Sequence, residues 1–191
     1  MQASLFKESP PVSGETVGAI NDELFEKGKT LFPGKVFVFG TGNAEADVVI
    51  IGESPGPPDI LSKKPFNGPA GDLLRKILSS VGLKADECWL TNVVKFVSQG
   101  DEITNEVTTF FTPYLYREVL AVNPQLLICL GNTPTKALLN KKEAISKIRG
   151  EFYEFEGIQV MPTFNPAYLL RDPTKKREVW DDMKKVREFL M

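Results

Sequence analysis

Histidine is absent from the 191 residues, which removes the side chain that titrates near neutrality and the commonest metal ligand. Cysteine is nearly absent too. Cys88 and Cys129 each sit in an apolar run, so they are read as core thiols rather than a disulfide or a metal pair. Structural zinc and cubane clusters need four ligands, and the expectation is no metal and no cofactor. Long apolar runs are missing as well: the longest, 48–52 and 126–131, fall far short of the roughly 20 residues of a membrane span. The opening MQASLFKESPPVSGE has no basic region followed by an apolar core, so no secretion signal is read and a cytoplasmic location is expected. A broad basic footprint is also lacking, since the net charge is −2 and the pI about 5.4. Only Lys63-Lys64 and the stretch 171–177 (RDPTKKR) concentrate positive charge.

What is present is an ordinary globular composition, 42% hydrophobic and 25% charged, long enough for one substantial core. No repeat, low-complexity tract or linker divides it, so one domain spanning 1–191 is expected, with 1–34 as an N-terminal helical extension and a monomeric state. Four short apolar segments recur: 47–52 (DVVIIG), 88–93 (CWLTNV), 126–131 (LLICLG) and 158–164 (IQVMPTF). Near-continuous β-branched runs separated by helical patterns mark strands covered on both faces. The expected fold is a three-layer α/β/α sandwich around a four-stranded parallel sheet. Helices are expected over 14–31, from Leu73 to Gly82, from a Thr104 cap to Val122, over 133–139, and from Pro173 to Phe189. Residues 35–40 read as an additional strand leading into a loop at 41–46.

In such sheets function sits at the carboxyl ends of the strands. Those ends are GESPGPPD (52–59), TNVVKF (91–96), GNTPT (131–135) and TFNPAYLLR (163–171). Gly52-Glu53-Ser54-Pro55-Gly56 leaves a strand, and Lys64-Pro65-Phe66-Asn67-Gly68-Pro69-Ala70-Gly71 opens a helix. Glycines there let backbone amides approach a ligand, and the helix start favours an anion. A nucleotide-phosphate loop is not present: GxxxxGK[ST] does not occur, and Gly40-Thr41-Gly42 is followed by Glu45 where the dinucleotide pattern has its third glycine.

VVIIGESPG, KPFNGPAGDLL, LTNVVKF and PTFNPAYLLR, in that order and spacing, resemble the motifs of the family-four uracil-DNA glycosylases, over about residues 35–190. The resemblance implies a parallel sheet between helices and hydrolysis of the N-glycosidic bond of deoxyuridine in DNA. It implies that Phe66 stacks on an extruded base, beside a loop of Gly52, Pro55 and Gly56, and that the Asn92 amide reads the uracil edge. Leu169 and Arg171 then belong to the segment that enters the minor groove and meets phosphate, with Tyr168 or Leu170 as alternative wedges and Lys64 as a further backbone contact.

The chain departs from that pattern in three places. Phe96 and Phe111 stand at two cluster-cysteine positions, and residues 1–34 contain no cysteine, so a small apolar core is expected instead of an iron–sulfur cluster. Asn165 stands where the family has a histidine that stabilises charge on uracil O2; an amide N–H supplies a donor there too. Ser54 occupies the place of the water-activating Asp of other branches, leaving Glu53 and Asp59 as carboxylates, of which Asp59 is the one expected to orient water. Two readings stay beside uracil release: hypoxanthine or another damaged base as substrate, and a silent module that binds damaged DNA.

Overall fold

The computed structural model describes residues 14–98 and 103–191. The first 13 residues of the expected N-terminal extension lie outside the described residues. The element order is α1 (Val17–Leu31), β1 (Thr41–Gly42), β2 (Val48–Gly52), α2 (Asp59–Ser62), α3 (Pro69–Ser80), β3 (Trp89–Asn92), α4 (Asn105–Val122), β4 (Leu126–Leu130), α5 (Asn132–Leu139), α6 (Ile145–Ile148), β5 (Tyr153–Phe155), β6 (Ile158–Thr163), α7 (Pro166–Arg171) and α8 (Lys176–Leu190). The sheet runs β1-β3-β2-β4-β6-β5, and β3, β2, β4 and β6 are mutually parallel.

The parallel centre is the one expected, but the sheet has six strands, because a short antiparallel strand is added at each edge. At one edge, Glu156 and Gly157 both have positive φ, 49° and 80°, which is the two-residue turn that joins twisted antiparallel strands. It folds β5 back onto β6. At the other edge the expected strand at 35–40 is reduced to one bridge, Phe37 to Phe96. The pairing falls instead on Thr41–Gly42 against Leu90 and Trp89, inside the expected loop. The final helix begins at Lys176, after a single 3-10 turn at Pro173–Lys175.

All five residues of β2 are buried, as are all five of β4, because helices cover both faces. Val49 and Ile51 face Ile20 and Leu24 of α1 and Leu115 and Val119 of α4. Val48 and Ile50 face Leu74 and Leu78 of α3 and Val179, Met183 and Val186 of α8. The period of two along the strands thus produces the three layers. Thr104 caps α4 as expected, its hydroxyl accepting from the Val107 N–H at 3.3 Å. Phe96 and Phe111 pack edge to face with ring centroids 5.6 Å apart, and Phe32, Phe37 and Phe110 complete the aromatic group.

Helix α1 is fastened to α4 by charge as well as packing. Arg117 donates to both Glu15 oxygens, at 3.0 and 2.6 Å, and to Glu23 at 2.6 Å. Its guanidinium, with help from Lys27, holds the Glu23 carboxyl down at about 2 against an ordinary 4.5. A carboxylate depressed in the folded state stabilises it above the unfolded value and loses that contribution as pH falls toward the folded one. Amide protection in α1, taken relative to the intrinsic exchange rate at each pH, is therefore expected to fall between pH 4.5 and 2 before that of the strands. Unchanged protection of α1 down to pH 2 would contradict this role for the pair.

Candidate active site

The parallel register places Gly52 at the end of β2 beside Asn92 at the end of β3. A Cβ built on Gly52 would stand 2.4 Å from Asn92 Oδ1 and 2.9 Å from Phe66 Cζ, so these three positions converge on one spot that admits no side chain at 52. Asn92 is only 3% exposed, yet among the described residues nothing takes the hydrogen bonds of its side-chain amide. The amide atoms are not among the enclosed groups left without a partner, so they open at the strand end, where a ligand that matches a donor and an acceptor can meet them.

Phe66 adopts φ 59°, left-handed backbone that an aromatic residue rarely enters and that costs about 1–3 kcal/mol. The surroundings impose it. Its carbonyl accepts from Arg75 at 2.9 Å, and α3 comes so close that a Cβ on Gly71 would lie 1.7 Å from that oxygen. The ring is half-buried and packs against the core layer of α3 and α8, with its Cζ end at Gly52.

Asp59 is held by the backbone of its own loop. Its carboxylate accepts from the Gly56 N–H at 2.9 Å and the Asn67 N–H at 2.7 Å, and it is 5% exposed. Both oxygens are engaged in clasping the two ends of the loop that carries Phe66. Glu53 is the exposed carboxylate next to Gly52; it accepts from the Thr133 hydroxyl on α5. Ser54 shares a 2.8 Å hydrogen bond with Ser98. Pro55 is buried and Gly56 half-buried in the same turn.

Asn165 follows β6 and caps α7: its Oδ1 accepts from the Ala167 N–H at 2.8 Å, and its Nδ2 donates to the Leu130 carbonyl at 3.4 Å. That long bond uses one of two amide hydrogens and leaves the other for a ligand. With β6 two strands from β2, Asn165 stands about 10 Å across the sheet end from Gly52, with Gly131 between them, whose Cβ would touch Asn165 Cβ at 3.5 Å.

Helix α7 divides the expected DNA-contact residues. Leu169 is 1% exposed and packs in the core beside Val179 and Met183, so it cannot enter DNA without leaving that core. Leu170, one position on, is 47% exposed. Arg171 and Lys64 are exposed, and Tyr168 packs on Phe164 with centroids 5.2 Å apart while its hydroxyl reaches Asp172 at 3.4 Å.

Three residues escaped sequence reasoning. Lys95 is buried, and its ammonium donates to Thr91 Oγ1 at 2.5 Å, the Asn92 carbonyl at 2.6 Å and Glu118 Oε2 at 2.5 Å; Glu118 Oε1 accepts from Trp89 Nε1 at 2.9 Å. Burial pushes the Lys95 ammonium below the ordinary lysine range, opposed by Glu118. A lysine inside the apolar run VVKFV was the available signal; its partner 23 residues away carried none. On the other side of the sheet, Asp182 accepts from Thr163 at 2.6 Å and from Arg149, and burial raises its carboxyl despite the guanidinium.

The residues present do not fit an iron–sulfur cluster, which four thiolates hold. The two cysteines lie on opposite faces of the sheet. Burial pushes the Cys88 thiol up to about 11 and raises that of Cys129 as well.

The convergence of Asn92, Phe66 and Gly52 at the strand ends is matched by what the chain is similar to. Residues 39–184 match the family model described as the uracil DNA glycosylase superfamily. The type-4 uracil-DNA glycosylase of Saccharolobus solfataricus is 35% identical over 162 residues, covering 79% of this chain and 74% of that protein. The Archaeoglobus fulgidus protein of the same name is 33% identical, covering 80% and 81%, and that of Thermotoga maritima 32%, covering 80% and 82%. The matched region takes in all four parallel strands and every strand end that forms the pocket, and the chain belongs to the uracil DNA glycosylase superfamily.

Proposed function

We propose that this protein is a DNA glycosylase that hydrolyses the N-glycosidic bond of deoxyuridine in DNA, leaving an abasic site and free uracil. The observation that carries the reading is the Asn92 amide at the end of β3, without a side-chain partner among the described residues and converging with the Phe66 ring on Gly52. An amide donates to uracil O4 and accepts from N3–H at once, while cytosine presents the opposite pattern at that edge. Phe66 stacks on the extruded base. As the C1′–N1 bond breaks, the electron pair leaves with uracil, and the free Asn165 N–H stabilises the charge on O2. Water, oriented by the exposed Glu53 carboxylate, adds to C1′ of the cationic sugar, and the proton it gives up balances the one the uracil anion takes up to leave as neutral uracil. Leu170 fills the gap left by the flipped nucleotide, and Arg171 and Lys64 meet phosphate, with Tyr168 bracing the α7 segment.

The variant that isolates Asn165 is Asn165→Asp, because a carboxylate keeps the acceptor that caps Ala167 and loses the donor. Single-turnover uracil release from a labelled duplex is expected to fall about 10²–10³-fold or more, as for other lost oxyanion donors. Wild-type rates are expected to pass through pH 6.5 without an imidazole step, since the chain has no histidine. Asn165→Asp releasing uracil at the wild-type rate would remove Asn165 from the mechanism, and no uracil release by the wild type would remove the function.

A further inference from the structure

We infer that Lys95 is a positioning residue for base recognition: tied to Glu118, its ammonium holds the main chain of Asn92 so that the side-chain amide faces the pocket. This deepens the proposed function and rests on it. An ammonium has three donors, and all three have acceptors here: Thr91 Oγ1, the Asn92 carbonyl and Glu118 Oε2. With no donor left and 1% exposure, Lys95 has nothing to offer a substrate directly. Nor does stability account for the pair, since a buried ion pair exchanged for neutral groups of similar volume often leaves stability unchanged or improved.

What the pair does supply is a fixed path for the chain. Glu118 reaches from α4 to both Trp89 Nε1 at the start of β3 and Lys95 beyond its end. The Val93 and Val94 amides continue the ladder to Gly52 and Glu53 at 2.9 Å each. Asn92 therefore lies in a segment fixed on both sides, its carbonyl turned to Lys95 and its amide toward Phe66 and the Gly52 backbone. A Cβ on Gly40 would stand 2.5 Å from Glu118 Oε1 and 2.8 Å from Trp89 Nε1, so backbone seals the network from above.

The test is the double variant Lys95→Met/Glu118→Gln, which removes both charges and keeps an acceptor for Trp89. Three readouts are compared with the wild type: thermal melting, affinity for a duplex carrying a tetrahydrofuran abasic site, and single-turnover uracil release. The expected result is unchanged melting and abasic-site affinity, which need no base reading, with uracil release at least tenfold slower. Release within twofold of wild type, or a parallel fall in all three, overturns the inference. A readout free of activity accompanies it: the Asn92 side-chain 15N–1H signals, assigned by their loss in Asn92→Ala, are expected to shift or broaden in the double variant. Unchanged signals overturn the inference even if the wild type released no uracil, an outcome that would itself refute the proposed function.

Discussion

Asn92→Ala is expected to slow uracil release about 10²–10³-fold or more while leaving the protein folded. The site loses both the donor to O4 and the acceptor for N3–H, and sites built to hydrogen-bond a substrate discriminate by about 10⁴–10⁵ when one side of the match is missing. The fold loses little, because the side-chain amide has no partner among the described residues, and truncation breaks no hydrogen bond of the fold. Melting close to that of the wild type, or above it, is the accompanying expectation. The two outcomes together distinguish a binding amide from a structural one: an amide that served the fold would lower stability when removed. Single-turnover kinetics with excess enzyme, beside a melting curve, make the comparison; uracil release within threefold of wild type would remove Asn92 from base recognition.

The largest stability effect is expected from Glu118→Leu. It leaves the Lys95 ammonium without its counter-charge in a dry part of the core and Trp89 Nε1 without an acceptor. Breaking one side of a buried pair costs about 3–5 kcal/mol, which for a chain of this length lowers the melting temperature by about 6–20 °C. The pH dependence has a definite sign. Burial lowers the Lys95 value in the folded state below the ordinary 10.5, so above the folded value the unfolded chain binds more protons and stability rises with pH. The deficit of Glu118→Leu should therefore shrink as pH is raised toward 10.5, and adding Lys95→Met should recover much of it at neutral pH. A melting temperature within about 2 °C of wild type at pH 7 would show that the pair is not the dry contact described here.

The parallel centre of the sheet was legible in the sequence because fully buried strands announce themselves: VVIIG and LLICL have no alternation to misread. Thr104 was legible as a cap from its place before a long periodic segment. The β5–β6 hairpin was legible in principle, through Glu156-Gly157, but a three-residue strand is too short for its period to stand out. The facing of helix α7 is not written in its own residues for a related reason. Six residues make less than two turns, so the phase that buries Leu169 and exposes Leu170 is set by Val179 and Met183 of a later helix, not by YLLR itself. Asp59 was recognisable as a carboxylate near the pocket, but its two backbone donors depend on how the loop closes over eight residues. Glu118 shows the same limit in the core: Lys95 stands out inside VVKFV, but its partner 23 residues away is an ordinary helix charge until the fold brings them together.

The most direct measurement incubates the untagged protein with labelled oligonucleotides carrying one uracil opposite G, opposite A or in a single strand, with hypoxanthine and thymine in matched positions. Alkali-labile abasic sites are scored and the released base is identified by mass. Abasic sites with stoichiometric free uracil, lost in Asn92→Ala, are the predicted result. Hypoxanthine release without uracil release would move the substrate, and tight binding of the folded protein to these oligonucleotides without any released base would contradict the account.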